Sequence, residues 1–173
     1  VRILNKDYLL LVSENNKPLI LDRRGNIRIK LPENLTTSTN HLYENDGGII
    51  TINDLNQLVR IELNGKISTK QLPDQKNIIH SNKNNLIVLS NGNITINNTD
   101  YKIPFGDFDD LNIKGSKNNT YFHFRDVNEK KSYLYNSDGM VSGFPIYSTS
   151  TFDFSFDKNQ DLITFKAVSY THL

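Results

Sequence analysis

The densest acidic stretch of the sequence is FGDFDDLN, which places Asp107, Asp109 and Asp110 within four residues. Carboxylate oxygens are ligands that Ca²⁺ prefers in proteins, so three of them this close together form a candidate metal site. The stretch lacks the turn glycine and the downstream bidentate glutamate of a calcium-binding loop. A solvated loop between two structural units is therefore the favoured interpretation, with calcium binding as the alternative.

A second acidic stretch, FDFSFDKNQD, carries Asp157, Asn159 and Asp161 at alternating positions. Oxygen ligands at such spacing occur in calcium-binding loops. Residues 157–160 also fit a plain turn, because Asp and Asn side chains stabilise turns through hydrogen bonds to their own backbone. The turn is the favoured interpretation, and no cofactor is predicted.

The histidines do not predict a metal centre or a catalytic set. His41, His80 and His123 lie far apart, without the local spacing of zinc ligands. His123 stands between two phenylalanines and is predicted to be a strand residue facing one side of a sheet. The sequence contains no Gly-x-Ser-x-Gly nucleophile motif, no phosphate-binding loop and no dinucleotide fingerprint.

Composition narrows the possible partners. Lys and Arg number 20 against 19 Asp and Glu, so the net charge of +1 predicts no binding to nucleic acid. Arg23 and Arg24 form an isolated basic pair at a turn, too small to predict a phosphate clamp. There is no cysteine, and no apolar run approaches the roughly 18 residues of a membrane span. The chain starts at Val1 without a visible signal peptide, from which we expect a fragment.

Short apolar runs recur at nearly even spacing, every 36 to 40 residues counted between their last positions. The five runs are Leu9–Ser13, Ile49–Asn53, Leu86–Ser90, Phe122–Asp126 and Leu162–Lys166. One candidate strand precedes each run, and two follow each of the first four. The continuously apolar letters LLLV and LIVL predict inner strands that are covered on both faces.

The residues between the runs predict hairpins. Asn64-Gly65, Asn91-Gly92 and Asp138-Gly139 are typical of two-residue turns in which both residues have a positive φ. Prolines follow the outer strand of each complete unit, where no further ladder is needed. These prolines are Pro32, Pro73, Pro104 and Pro145. The concentration of Tyr and Phe after residue 120 predicts cross-strand packing.

Four antiparallel strands in about 40 residues are typical of a β-propeller blade. The sequence therefore predicts an all-β fold, an incomplete propeller of about four and a half blades over residues 1–166. The blades are expected at about 1–32, 33–73, 74–104, 105–147 and, incomplete, 148–166. A β-sandwich is the alternative. Residues 167–173, AVSYTHL, resemble sequencing-adapter read-through and are expected to be a non-native tail.

The segments KSYLYNSDGMVSGFPIYSTS and PLILDRRGNIRIKLP resemble a family of bacterial envelope proteins that repeats a YLFDSxGKxxxNFPVYG-like hairpin. The matching residues are Tyr133, Leu134, Tyr135, Ser137, Gly139, Gly143, Phe144, Pro145 and Tyr147. The resemblance covers about residues 1–166. It implies the carboxy-terminal part of a longer envelope protein, in many members a lipoprotein. Some members carry the label ribonuclease HII.

Two functions remain open from the sequence. The first is a non-catalytic scaffold that binds an unknown protein or glycan through inter-strand loops such as Leu55–Gln57 or Val127–Lys130. The alternative is part of a hydrolase or nuclease whose catalytic residues lie outside this chain. A ribonuclease of the labelled class needs clustered carboxylates for two Mg²⁺ ions, and its Asp-Glu pair occurs nowhere in this sequence. The scaffold is the favoured hypothesis.

Overall fold

A computed structural model describes residues 1–39, 41–73, 77–82, 84–115, 119–148, 153–156 and 161–164. Within these ranges the chain forms twenty β-strands and no helix, which confirms the all-β prediction. All five predicted apolar runs contribute to strands. By contact density the chain divides into two compact units, Val1–Ser90 and Asn91–Leu173.

The strands follow one another as antiparallel sheets in sequence order. A hairpin and a three-stranded sheet come first: β1 Arg2–Ile3 with β2 Lys6–Asp7, then β3 Leu9–Val12, β4 Pro18–Leu21 and β5 Ile27–Ile29. Two four-stranded sheets follow: β6 Tyr43–Asn45, β7 Gly48–Ile52, β8 Gln57–Ile61 and β9 Ile67–Gln71, then β10 Ile78–Asn82, β11 Asn85–Ser90, β12 Asn93–Ile96 and β13 Thr99–Lys102. The last sheets are β14 Phe108–Gly115, β15 Thr120–Asp126, β16 Lys131–Asn136, β17 Gly139–Met140 and β18 Ile146–Tyr147, then β19 Asp153–Phe156 and β20 Asp161–Thr164.

The core of the first unit joins two consecutive sheets. Ile20 and Ile29 of the first sheet pack with Ile49, Val59 and Ile61 of the second, and all five are buried. Alternate residues of a strand point to opposite faces, so β4, β5 and β8 each direct one face into this core. Burial of these branched side chains supplies the main stabilisation of the pair of sheets.

The prediction of inner strands covered on both faces is right for one sheet and wrong for another. Strand β11, predicted from LIVL, is buried from Ile87 to Ser90, and Leu86 is half-buried. In β3, however, Leu9 is 44 % exposed and Leu11 is 49 % exposed. A run of apolar residues does not by itself show which faces of a strand have a neighbouring sheet. Among the described residues, the face of β3 that carries Leu9 and Leu11 is only partly covered.

The turn at Asn64-Gly65 differs from the predicted two-residue type. Gly65 has a φ of +89°, but Asn64 is not among the residues with positive φ. The Gly65 N–H donates to the Glu62 carbonyl at 2.9 Å, and the Glu62 N–H donates to the Lys66 carbonyl at 2.8 Å. This is a three-residue connection with glycine at the left-handed position. At Asn91-Gly92 and Asp138-Gly139, too, only the glycine has a positive φ.

Two-residue turns with two positive φ values occur elsewhere. They lie at Leu4–Asn5, Asp46–Gly47 and Asn97–Asn98, where the flanking residues are paired Cα to Cα. Paired positive φ values match the right-handed twist of the strands they join. Asp-Gly and Asn-Asn suit that conformation, whereas leucine does not.

One hydrogen bond recurs in four of the sheets. The acceptor in each case is the carbonyl of a residue with positive φ, in the β3–β4, β7–β8, β11–β12 or β15–β16 turn. The donor is a backbone N–H of the segment that follows the last strand of the same sheet. The donor and acceptor pairs are Thr37 to Asn16 at 2.8 Å, Leu72 to Asn56 at 3.2 Å, Ile103 to Gly92 at 3.2 Å and Ser148 to Lys130 at 2.9 Å. The bond ties each departing segment to its own sheet.

Aromatic side chains form the core of the second unit. Phe124 of β15 stacks on Tyr133 of β16 with centroids 5.0 Å apart and ring planes 6° apart, and Phe108 meets Phe124 edge-on at 5.3 Å. All three rings are buried. The packing interpretation of the aromatics after residue 120 is confirmed for Tyr133 and Tyr135, which are buried, but not for Tyr147, which is 76 % exposed. The strand after the Asp138-Gly139 turn is short, since β17 ends at Met140, and β18 pairs with the start of β16.

Candidate functional site

The predicted acidic loop is a strand, because β14 begins at Phe108. Asp109 lies opposite Arg125 of β15. Arg125 Nε donates to Asp109 Oδ1 at 3.1 Å, and its Nη2 donates to Oδ2 at 2.9 Å. Both carboxylate oxygens of Asp109 therefore have a cationic partner already, which is the geometry of a bidentate ion pair.

The other two predicted ligands, Asp107 and Asp110, lie on either side of Asp109 in the chain. Asp107 precedes β14, and its carbonyl accepts the Val127 N–H at 2.9 Å. Asp110 is a residue of β14. Within the ranges that the structure describes, no three His, Asp or Glu side chains are grouped as metal ligands.

The second predicted acidic stretch falls largely outside the described residues. Asp157 and Asn159 lie there, so their assignment to calcium or to a turn stays a prediction. Asp161 is the first residue of β20, and its Cα partner is Phe156.

The histidines take separate positions, and two of them meet an aromatic ring. His123 is buried in β15 opposite Leu134. His41 precedes Tyr43 in the chain and His80 follows it, and both rings lie near the tyrosine ring. The ring centroid of Tyr43 is 6.0 Å from that of His41 and 5.1 Å from that of His80. Burial raises the pKa of the Tyr43 hydroxyl, so this ring stays neutral over the ordinary pH range.

The first unit carries an open groove of about 700 Å³. Tips of the β1–β2 and β6–β7 turns form its sides. It is lined by Arg2, Ile3, Leu4, Asn5, Glu44, Asp46, Gly47 and Asn84. The groove thus presents a cation, two carboxylates and two amides around two apolar side chains, the buried Ile3 and the exposed Leu4. This mixture suits a polar ligand with an apolar patch.

Backbone contacts hold one wall of the groove in place. Arg60 Nη1 donates to the Asn45 carbonyl at 3.2 Å, and its Nη2 donates to the Asp46 carbonyl at 2.8 Å. The Ser81 hydroxyl of β10 donates to the Glu44 carbonyl at 2.8 Å. These three bonds fix the β6–β7 turn from two neighbouring strands, so its backbone is positioned before any ligand arrives.

Leu4 is the unusual residue of the groove. It has a φ of +44°, and its side chain is 77 % exposed. The left-handed conformation costs an L-residue about 1–2 kcal/mol, and leucine has no side-chain amide to offset that cost. Strained backbone of this kind collects at functional sites.

The loops predicted from the sequence to bind a partner do not line the groove. Asn53 Oδ1 accepts the N–H groups of Leu55 and Gln57 at 3.1 and 2.9 Å, which closes the first loop on itself. Asp126 Oδ1 accepts the N–H groups of Asn128 and Glu129, both at 3.0 Å, which closes the second. In the sequence, the Asp46-Gly47 dipeptide marks one wall of the groove as a turn between two strands. The residues around it in the sequence do not show that Leu4 lies beside this turn in the fold.

No helix among the described residues has the length and apolar character to cross a bilayer. Compared with known proteins, the chain matches no family model, no curated protein and no solved structure.

Proposed function

We propose that the chain is a non-catalytic binding module built on the β-propeller plan, and that it binds a protein or glycan partner in the groove of the first unit. The observation that carries the proposal is the groove itself: turn tips of successive sheets meet there, and a strained, exposed leucine stands among polar side chains. Loops at one end of stacked sheets are a common site of binding in such folds.

The order of the strands supports the propeller part of the proposal. Successive four-stranded sheets are antiparallel and follow the chain order without crossing connections, as propeller blades do. The hydrogen bond between the turn and the departing segment recurs in four sheets. A repeated tertiary contact of this kind is expected when one structural unit is used several times.

A contact between first strands also supports it. Strands β6 and β10 each begin a four-stranded sheet, and they approach each other where Ser81 of β10 bonds to Glu44 of β6. In a propeller the first strands of neighbouring blades converge around a central channel. A sandwich of two facing sheets places no such requirement on first strands.

One face of the first sheet supplies further support. Pairing places Leu9 opposite Leu21, so these two side chains share a face. Ile27 lies opposite Leu21 at a register shift in the β4–β5 pair. Leu9 is 44 % exposed and Ile27 is 68 % exposed, while the other face packs on the second sheet. Blades of a propeller are covered on both faces, and we propose that a further sheet of the same kind covers this one.

The envelope is the proposed location only through the sequence resemblance. The hydrolase or nuclease alternative has no specific observation in its favour within the described residues, where the acidic side chain best placed for a metal, Asp109, is engaged by Arg125. We therefore propose binding alone.

The experiment compares two matched leucine variants. Leu4→Asn removes the exposed side chain from the groove and supplies a residue that tolerates positive φ. Leu55→Asn removes a leucine of similar exposure, 72 % against 77 %, outside the groove. Each variant and the unaltered chain are applied to a glycan array and to a cross-linking assay with bacterial envelope proteins, and binding is quantified for every retained ligand.

We expect a ligand that the unaltered chain and Leu55→Asn bind equally and that Leu4→Asn binds at least about tenfold more weakly, the loss of one buried apolar contact. Thermal unfolding of Leu4→Asn should be unchanged or shifted upward, which excludes misfolding as the cause. Equal binding by Leu4→Asn would remove the groove from the proposal. Failure of the unaltered chain to retain any ligand would count against a binding function.

A further inference from the structure

Four cationic side chains line one shallow depression of about 330 Å³ on the first unit: Lys6, Arg23, Arg24 and Arg28. Of these four residues, only Arg23 and Arg24 are adjacent in the sequence. Strand β2 supplies the lysine, the β4–β5 turn supplies two arginines and β5 supplies the fourth cation. The arrangement therefore depends on the fold and not on a run of charge.

The two carboxylates in the depression are already engaged. Asp7 forms an ion pair with Arg23 at 2.5 Å. Asp22 turns toward its own loop, where its Oδ1 accepts the N–H groups of Arg24 and Asn26 at 2.8 and 3.0 Å. The depression keeps an excess of two positive charges over negative ones, with Asn5 as an additional neutral donor.

Arg28 is held in place by an aromatic ring. Its guanidinium carbon lies 5.0 Å from the centroid of Tyr8, and Tyr8 is buried in the core. Such stacking orients a guanidinium while leaving its N–H groups available. Within the described residues, none of Lys6, Arg24 and Arg28 has a carboxylate within ion-pair distance.

We propose that this cationic depression binds a phosphate group. Several guanidinium and ammonium groups around one concave spot match a tetrahedral anion that accepts hydrogen bonds from many directions, and arginine forks bind phosphate oxygens in pairs. A single carboxylate would occupy only one fork. The phosphate is that of a small soluble ligand or of a lipid headgroup, since both present the same group.

The test is a titration of the whole chain with inorganic phosphate at constant ionic strength, followed by the amide NMR signals of residues 22–28. We expect saturable shifts in the unaltered chain. Arg24→Gln and Arg28→Gln should each weaken binding by about tenfold, the loss of one charge-assisted hydrogen bond. Lys70→Gln, which makes the same charge change on the exposed strand β9, should bind like the unaltered chain.

A second arm separates the two sources of phosphate. Sedimentation with phosphatidylglycerol vesicles identifies a lipid headgroup if binding occurs and is lost in Arg24→Gln. Binding to inorganic phosphate without binding to vesicles identifies a soluble ligand. The proposal is overturned if phosphate shifts do not saturate, or if Arg24→Gln and Arg28→Gln reduce phosphate binding no more than Lys70→Gln does.

Discussion

Arg125 donates to both carboxylate oxygens of Asp109, at 3.1 Å from Nε and 2.9 Å from Nη2, across the β14–β15 pair. The Arg125 side chain is 20 % exposed and that of Asp109 is 41 % exposed. Solvent screening reduces the value of such a pair, but two aligned hydrogen bonds retain part of it. The contact makes Asp109 a structural residue of the second unit.

Asp109→Asn is therefore expected to destabilise the chain by about 0.5–1 kcal/mol, measured by urea unfolding. In a double-mutant cycle with Arg125→Gln the two losses should be less than additive. Asp54→Asn, at an exposed turn position, is the charge-matched control and should have little effect. Because Arg125 occupies Asp109, we also expect Asp109→Asn to leave any effect of Ca²⁺ on the unfolding temperature unchanged. Additive losses, or a clear stabilisation by Ca²⁺ that Asp109→Asn removes, would contradict this account.

Gly65 provides a test of turn geometry that involves little steric conflict. A Cβ at this position would come no nearer than 3.7 Å to Ile29 Cγ2, so any penalty comes from the φ of +89°. Gly65→Val should destabilise by about 1–2 kcal/mol, because a β-branched residue resists positive φ. Gly65→Asn should cost much less, since asparagine tolerates the left-handed region. Similar melting temperatures for the two variants would show that the turn does not need this conformation.

At Gly106 a larger side chain is excluded by contacts with neighbouring atoms and not by a positive φ. A Cβ there would clash with Oδ2 of Asp126 and lie 3.0 Å from Phe108 Cζ. Asp126 is buried and cannot move freely, because its Oδ1 accepts two backbone N–H groups. Gly106→Ala should therefore destabilise by about 1–3 kcal/mol, as overpacking does.

Asp126→Ala removes the atom that the new methyl group would meet, together with its turn hydrogen bonds. Adding Gly106→Ala to Asp126→Ala should then cost far less than in the unaltered chain. Denaturant unfolding of the four proteins measures the difference. An equal cost of Gly106→Ala in both backgrounds would rule out the proposed conflict between the two residues.

The Asp22 carboxyl is expected to make the stability of the folded chain depend on pH. The backbone N–H of Asn26, then its side-chain amide, hold the pKa of the Asp22 carboxyl below its ordinary value. A carboxyl with a lowered pKa stabilises the folded chain above the unfolded-state pKa of about 3.9. That contribution is lost as the pH falls through the folded-state pKa.

The stability difference between the unaltered chain and Asp22→Asn should therefore be constant near neutral pH and shrink as the pH falls below about 4. Urea unfolding across this range measures the difference, and an NMR titration of the Asp22 carboxyl measures its pKa directly. A difference in stability that does not change with pH would show that the hydrogen bonds do not favour the charged form.

Strand positions follow from local rules, which explains why they could be predicted. Short apolar runs such as Leu86–Ser90 become strands because successive side chains of a strand point to opposite faces of the sheet, where both sets can pack. Glycines such as Gly65 mark turns because they adopt positive φ without steric cost. The exact turn type at Asn64-Gly65 escaped prediction, since the same dipeptide fits two-residue and three-residue connections and strand register selects between them.

The amino-acid order was thus enough for the all-β class and the succession of strands, because each depends on residues close together in the chain. Partnerships between distant residues needed the folded molecule. Asp109 meets Arg125, Lys6 joins Arg24, and Leu4 faces the Asp46 turn only through the register of paired strands and the packing of one sheet on another. Local propensity contains no information about those distances, so the groove and the cationic depression appear only once the sheets are assembled.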